Sequence, residues 1–174
     1  MVSYFINNLT DILCYIGLSS LISIVFALTL TTVMYRQTHK WSWIFCLKWW
    51  LFVSYLIVML QVVLLSREPG SRTATDLIPF STWHTDAQSQ AYFVENFIMF
   101  LPMGLFLYVN GKRLRQFRIT IFLLLGSSLL IEATQFITRR GFFQTDDIIM
   151  NVLGGAVGWG ICYIVYKIKS AESH

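Results

Sequence analysis

Three stretches of this chain run for 18 residues or more without a charge, and nothing else in the sequence constrains the fold as strongly. Ile12 to Tyr35 has 24 residues, Trp49 to Ser66 has 18 and Ile148 to Tyr166 has 19. Roughly 20 residues of helix cross the hydrocarbon core of a bilayer, so each run has the length of a span. The second extends back past Lys48 toward Trp41. Two further runs carry polar groups near one end. Phe97 to Asn110 has 14 residues and reaches spanning length if Tyr92 to Asn96 enters the membrane too. Ile119 to Thr138 is long enough but holds Glu132 and Gln135 in its last two turns. Only 13% of the 174 residues are charged, where a soluble domain has about one-quarter. That leaves too little polar surface to keep a monomer of this size in water.

These runs predict an all-α, polytopic integral membrane helix bundle with five transmembrane helices. The runs are continuous rather than alternating in period two, which excludes a β-barrel. The first run is longer than a signal-peptide core and follows no basic segment, so it reads as a retained helix. No internal repeat or low-complexity segment is visible. The layout expected is two N-terminal helices over residues 1–66, a loop over 67–95 and a three-helix core over 96–169.

Basic residues set the expected orientation. Nine of them (Arg36, Lys40, Lys48, Lys112, Arg113, Arg115, Arg118, Lys167 and Lys169) fall on one side, and Arg67, Arg72, Arg139 and Arg140 on the other. The first side is therefore expected to be cytoplasmic, with the N-terminus outside and the C-terminus inside. Eight acidic residues (Asp11, Glu68, Asp76, Asp86, Glu95, Glu132, Asp146 and Asp147) fall on the outer side. The isoelectric point near 9.1 thus hides two unlike faces. The basic inner face calls for no partner beyond anionic lipid headgroups, and nothing points to nucleic acid. Cys14, Cys46 and Cys162 lie in or beside apolar runs and read as small buried hydrophobes.

Polar groups gather at one end of the last three helices. Glu132, Gln135 and Arg139 follow at helical spacing and are expected to form one stripe. Ionisable groups inside a membrane helix face the protein interior or a wet cavity, and mark candidate sites; a carboxylate snorkelling at the boundary is the plain alternative for Glu132. In the fifth helix Thr145 and Asp146 suit an N-terminal cap. Asp147, Asn151 and Gly155 share a face at four-residue steps, and Asn151 needs a hydrogen-bonding partner in the membrane. Gly154 and Gly158 form a small-xxx-small pair that lets another helix approach closely. In the third helix Asn96, Phe100 and Gly104 share a face, and Pro102 is expected to kink it and free the Ile98 carbonyl. The long loop holds Arg72, whose planar fork suits phosphate or carboxylate, and Asp76. Its Leu77 to Phe80 patch suits dipping into the interface or covering a cavity. Asn96, Glu132, Gln135, Arg139, Asp147 and Asn151 are expected at similar depth on the outer side.

Arg72 with Asp76-Leu-Ile-Pro-Phe80, Asn96-Phe-Ile-Met-Phe-Leu-Pro102-Met-Gly104, Glu132-x-x-Gln135-x-x-x-Arg139 and Asp147-x-x-x-Asn151-x-x-Gly154-x-x-x-Gly158 occur in that order. Together they resemble the VanZ-like family of bacterial membrane proteins, over about Arg72 to Trp159. Asp76 departs from the pattern, where Asn is more usual. The family takes its name from a member associated with low-level resistance to teicoplanin, a lipid-bearing glycopeptide that binds cell-wall precursors. The resemblance implies a cell-envelope role in the bacterial cytoplasmic membrane.

Three readings of function stay open. A non-enzymatic envelope protein would bind a lipid, a lipid-linked precursor, a lipoglycopeptide or a partner protein through Arg72, Asp76, Asn96, Glu132, Gln135, Arg139, Asp147 and Asn151. A membrane enzyme would act on a lipid or polyprenyl-phosphate, with Glu132 or Asp147 as general base and Arg72 or Arg139 on the phosphate. A small transporter would use the same groups as a midway site under a kinked third helix. No H-E-x-x-H, C-x-x-C or Walker loop is present, and no cofactor is implied. A Mg²⁺ or Ca²⁺ among Asp76, Glu132 and Asp147 is the one metal alternative the residue types allow. His39, His84 and His174 are scattered, and Ser81 and Ser89 lack an activating context.

Overall fold

The computed structural model describes residues 2–65, 75–81, 87–141 and 143–172. Its elements in chain order are α1 (Val2–Thr38), α2 (Trp43–Leu65), β1 (Thr75–Asp76), α3 (Ala87–Val109), α4 (Phe117–Ile137), β2 (Phe143–Gln144) and α5 (Thr145–Glu172). Five of these helices are long and apolar enough to cross a membrane, as the uncharged runs predict. Arg67, Glu68, Arg72, His84 and Asp86 lie outside the described residues, as do the side chains of Asp11 and Cys14.

The chain divides into two compact units, Val2–Arg67 and Glu68–His174. In the first, α1 and α2 form a hairpin. His39 takes a left-handed φ of 53° after α1, and the Ser42 hydroxyl accepts the Phe45 N–H at 3.2 Å to cap α2. Ser19, Ser23, Ala27 and Thr31 recur every four residues on α1 and are all fully buried. Small side chains on one stripe let two helices close up in lipid, where van der Waals packing replaces the hydrophobic effect. The seam also carries polar bonds. Ser23 and Ser54 share a hydroxyl–hydroxyl hydrogen bond, and the Trp50 indole N–H donates to the Ser20 carbonyl at 3.2 Å.

The second unit is built around α5. On one side α5 meets α3 backbone to backbone. A Cβ added at Gly154 would run into the Phe97 carbonyl, one at Gly158 into the Leu101 carbonyl, and one at Gly104 into the Gly155 carbonyl. Phe97 pairs with Gly154 and Leu101 with Gly158, both indices rising together, so α3 and α5 are parallel. On the other side Gly155 faces the Leu124 side chain and Asn151 bonds Ser128; here the indices run oppositely, so α4 and α5 are antiparallel. Gly154 and Gly158 thus serve α3, Asn151 serves α4, and Gly155 meets both, its carbonyl toward Gly104 and its Cα toward Leu124.

One sequence expectation needs correction. The third helix, read from Tyr92 with its core from 96, begins at Ala87, because Ala-Gln-Ser-Gln-Ala-Tyr continues helically beyond the apolar run and shortens the 67–95 loop. Its membrane-length segment is Ser89–Val109, which takes in Tyr92 to Asn96. The same helix runs on through Pro102 as one element. Pro102 is exposed, so its ring sits away from the glycine contacts with α5.

The glycine contacts generate a stability prediction. Gly154→Ala or Gly158→Ala places a methyl against a carbonyl that belongs to helix backbone and cannot rotate away. Overpacking of this kind costs about 1–3 kcal/mol, so each variant should melt several degrees lower in detergent, followed by tryptophan fluorescence. Gly126→Ala and Gly160→Ala, where a Cβ meets nothing within 4 Å, should melt at or slightly above the parent, since alanine is the better helix former.

Candidate functional site

The polar end of the second unit is closed by a short strap. β1 pairs with β2 in parallel, Thr75 opposite Phe143 and Asp76 opposite Gln144. The residues after β1 turn on the Asp76 carboxylate, which accepts the Ile78 N–H at 3.1 Å and the Ser81 hydroxyl. Phe80 then adopts φ 63°, and its N–H donates to Oδ1 of Asp146. Asp146 is almost wholly buried. Its carboxylate therefore pins the strap across 66 residues of sequence, beyond the capping role its position suggests. Sequence reasoning missed this partner because nothing local to Asp146 marks it. Leu77, Ile78 and Phe80 remain exposed on the strap.

Beneath it lie side chains from α4. Glu132 is 1% exposed, and its Oε2 accepts the Gln144 N–H at 3.1 Å. The carboxylate is thus fixed against the backbone that leads into α5, and it is no boundary snorkeller. Gln135 is buried one turn further on. Arg139 breaks the expected stripe. The helix ends at Ile137, the Arg140 N–H reaches back to the Gln135 carbonyl at 2.9 Å, and the Arg139 N–H reaches the Phe136 carbonyl at 3.1 Å. This is a Schellman closure with Arg139 in the left-handed position, φ 56°, that glycine usually fills. The Arg139 residue is exposed, while Glu132 and Gln135 stay inside; the i+4 relation fails because the helix stops first.

From α5 come Asp147 and Asn151, each no more than 2% exposed. The Asn151 amide N–H donates to Ser128 Oγ at 2.9 Å, which is the membrane partner its position requires. Asn96 on α3 is also buried, one residue before the Phe97 carbonyl that meets Gly154 of α5. Five of the sequence-identified residues (Asn96, Glu132, Gln135, Asp147 and Asn151) are thus buried at this end of three helices. Asp76 sits in the strap, Arg139 is exposed at the end of α4, and Arg72 lies outside the described residues.

Two atoms of this set stand out. Asn96 Nδ2 and Asn151 Oδ1 are buried and have no hydrogen-bond partner among the described residues. A buried polar atom left unsatisfied costs about 1–3 kcal/mol, and water is scarce at membrane depth. One is a donor and the other an acceptor, so a ligand carrying both functions suits them. The described residues include no group of three or more His, Cys, Asp or Glu placed to hold a metal ion. Asp76, Glu132 and Asp147 accordingly do not assemble into the carboxylate cage that a Mg²⁺ or Ca²⁺ reading needs.

Two variants test these local roles. Asp146→Ala removes a charge-assisted acceptor worth about 1.5–3 kcal/mol, so hydrogen exchange of the Phe80 amide should accelerate 10-fold or more while the helices keep their protection. Arg139→Gly relieves a left-handed residue at about 1 kcal/mol and should raise the melting temperature; a simultaneous loss of ligand would show that the guanidinium holds it.

A family model described as VanZ/LLP1 matches residues 52–166. The match begins inside α2, earlier than the motifs from Arg72 onward, and runs to Tyr166 near the end of α5. No curated protein and no solved structure matches at a significant level. The matched residues make up more than half of the chain and include every residue of the polar end, and the chain therefore belongs to the VanZ/LLP1 family.

Proposed function

We propose that this protein is a multi-pass protein of the bacterial cytoplasmic membrane that binds a lipid or lipid-linked envelope component at the polar end of α3, α4 and α5. Through that binding it contributes to low-level resistance to glycopeptides of the teicoplanin type. The observation that carries the reading is that the α3 and α5 helices each leave a buried polar atom unsatisfied, the donor Asn96 Nδ2 and the acceptor Asn151 Oδ1. Two features support it. The strap at the polar end exposes Leu77, Ile78 and Phe80, a surface suited to acyl chains or the interface. The basic residues of this unit lie mostly at its opposite end, which favours an extracytoplasmic placement of the polar end, on the side where lipid-linked wall precursors and the antibiotic are met.

A membrane enzyme acting on a lipid or polyprenyl-phosphate is the second reading, with Asp147 or Glu132 as base. Glu132 already holds a backbone N–H of the β2 segment, which favours a structural task for it. Asp147 is the stronger candidate base.

Charge-removing variants separate the two. Asn96→Leu removes the donor and should cut co-purified lipid, identified by mass spectrometry, at least several-fold, with a matching fall in the teicoplanin concentration that cells tolerate. Glu132→Gln keeps an acceptor for Gln144 and, like Asp147→Asn, should retain both lipid and resistance if binding is the function. Resistance lost in both variants with lipid still bound would instead mark a carboxylate as the catalyst.

A further inference from the structure

The opposite end of the second unit, where α3 turns into α4 against the last turns of α5, carries a second built surface. The turn is rigidly held. Leu114 offers its carbonyl to the Thr120 hydroxyl at 2.7 Å and to the Trp159 indole N–H at 3.3 Å. The Asn110 amide closes on the Phe106 carbonyl at 2.8 Å. Trp159 in turn packs on Phe117, Tyr108 and Tyr163, the last ring stacked within 10° of parallel.

Cations are laid on this aromatic floor. The Arg115 guanidinium lies 4.8 Å from the Tyr166 ring centre and 5.3 Å from that of Tyr108. Lys167 Nζ is 5.4 Å from the Tyr163 ring centre. A guanidinium resting on ring faces keeps its N–H groups for a planar anion at its edge. Lys112, Arg113, Arg118 and Lys169 are exposed at the same end. None of these six cations has an acidic partner among the described residues, and Glu172 is the one described acid in this region.

We propose that this surface is a headgroup clasp for an anionic phospholipid, with Arg115 as the pre-positioned hydrogen-bond donor to its phosphate. The membrane-length segment of α3 ends at Val109 and that of α4 starts at Phe117, so the turn stands at headgroup level. Amphipathic rings gather at that level in membrane proteins. Val109 and Ile164, which precede the cations on α3 and α5, are exposed on the membrane side of them, where the lipid's acyl chains would cover them. Phosphate above and apolar flank below fit one molecule that has both, and this is what selects a phospholipid over a free anion or an acidic peptide.

The test is native mass spectrometry of the full chain released from mixed phosphatidylglycerol and phosphatidylcholine micelles. Phosphatidylglycerol adducts should exceed phosphatidylcholine adducts. A basic residue near an anionic surface contributes about 1 kcal/mol, so Arg115→Gln should cut that preference roughly fivefold. Arg115→Gln with Arg118→Gln should bring it down roughly 20- to 30-fold. Arg115→Lys, which keeps charge and packing but not the fork, should fall between parent and Arg115→Gln. Equal retention of the two lipids by the parent, or an unchanged preference in the double variant, overturns the proposal. So does displacement of the bound lipid by millimolar inorganic phosphate or by an acidic peptide, which would assign the surface to a soluble anion. Circular dichroism and the melting temperature of each variant confirm that the chain compared is folded.

Discussion

The close approach of α3 to α5 is the constraint on which the second unit rests. Lipid gives no hydrophobic reward for bringing two apolar helices together, so association relies on fit. Gly154, Gly158 and Gly104 supply it by letting backbone meet backbone. That contact fixes the rotation and height of α5 relative to α3, and with it the level at which Asn96 and Asn151 stand on their helices. The opposite side of α5 is then committed to α4, through Gly155 against Leu124 and Asn151 against Ser128. A single helix thus serves two neighbours by dividing its faces between backbone contact and one polar bond.

The polar end follows from this arrangement and from the strap. Three carboxylates, those of Glu132, Asp146 and Asp147, are buried there, and two of them hold backbone N–H groups of the connecting segments. These segments would otherwise run over a helix end with unpaired donors. The proposed binding role and the architecture therefore draw on the same residues. Asn96 and Asn151 are the cleaner reporters for that proposal, because each has an atom that the described residues leave unused.

Periodicity made much of this legible. Five spans, the Asp147–Asn151–Gly155 face and the Gly154–Gly158 pair all follow from helical spacing and length, quantities that survive without knowledge of neighbours. The failures share a cause. Counting four residues from Gln135 puts Arg139 on a stripe, but the helix closes at Ile137 through main-chain bonds that side-chain identity does not announce. The Asp146–Phe80 bond joins residues 66 apart, and no local pattern encodes such a partner. Hydropathy places the start of α3 too late because a helix can outrun the membrane it crosses, whereas hydropathy marks only the membrane.

Parallel packing of α3 and α5 has an electrostatic consequence for the whole unit. Two helices begin at the polar end and one finishes there. Each helix acts as roughly half a positive charge at its start and half a negative charge at its finish. The sum leaves the polar end net positive and the aromatic end net negative before any side chain is added. Glu132, Asp146 and Asp147 occupy the first, while Arg115 and Lys167 occupy the second. The division of acids from bases along the sequence is thus matched to a field that the peptide backbone itself sets up, once the glycines have dictated which way the helices point.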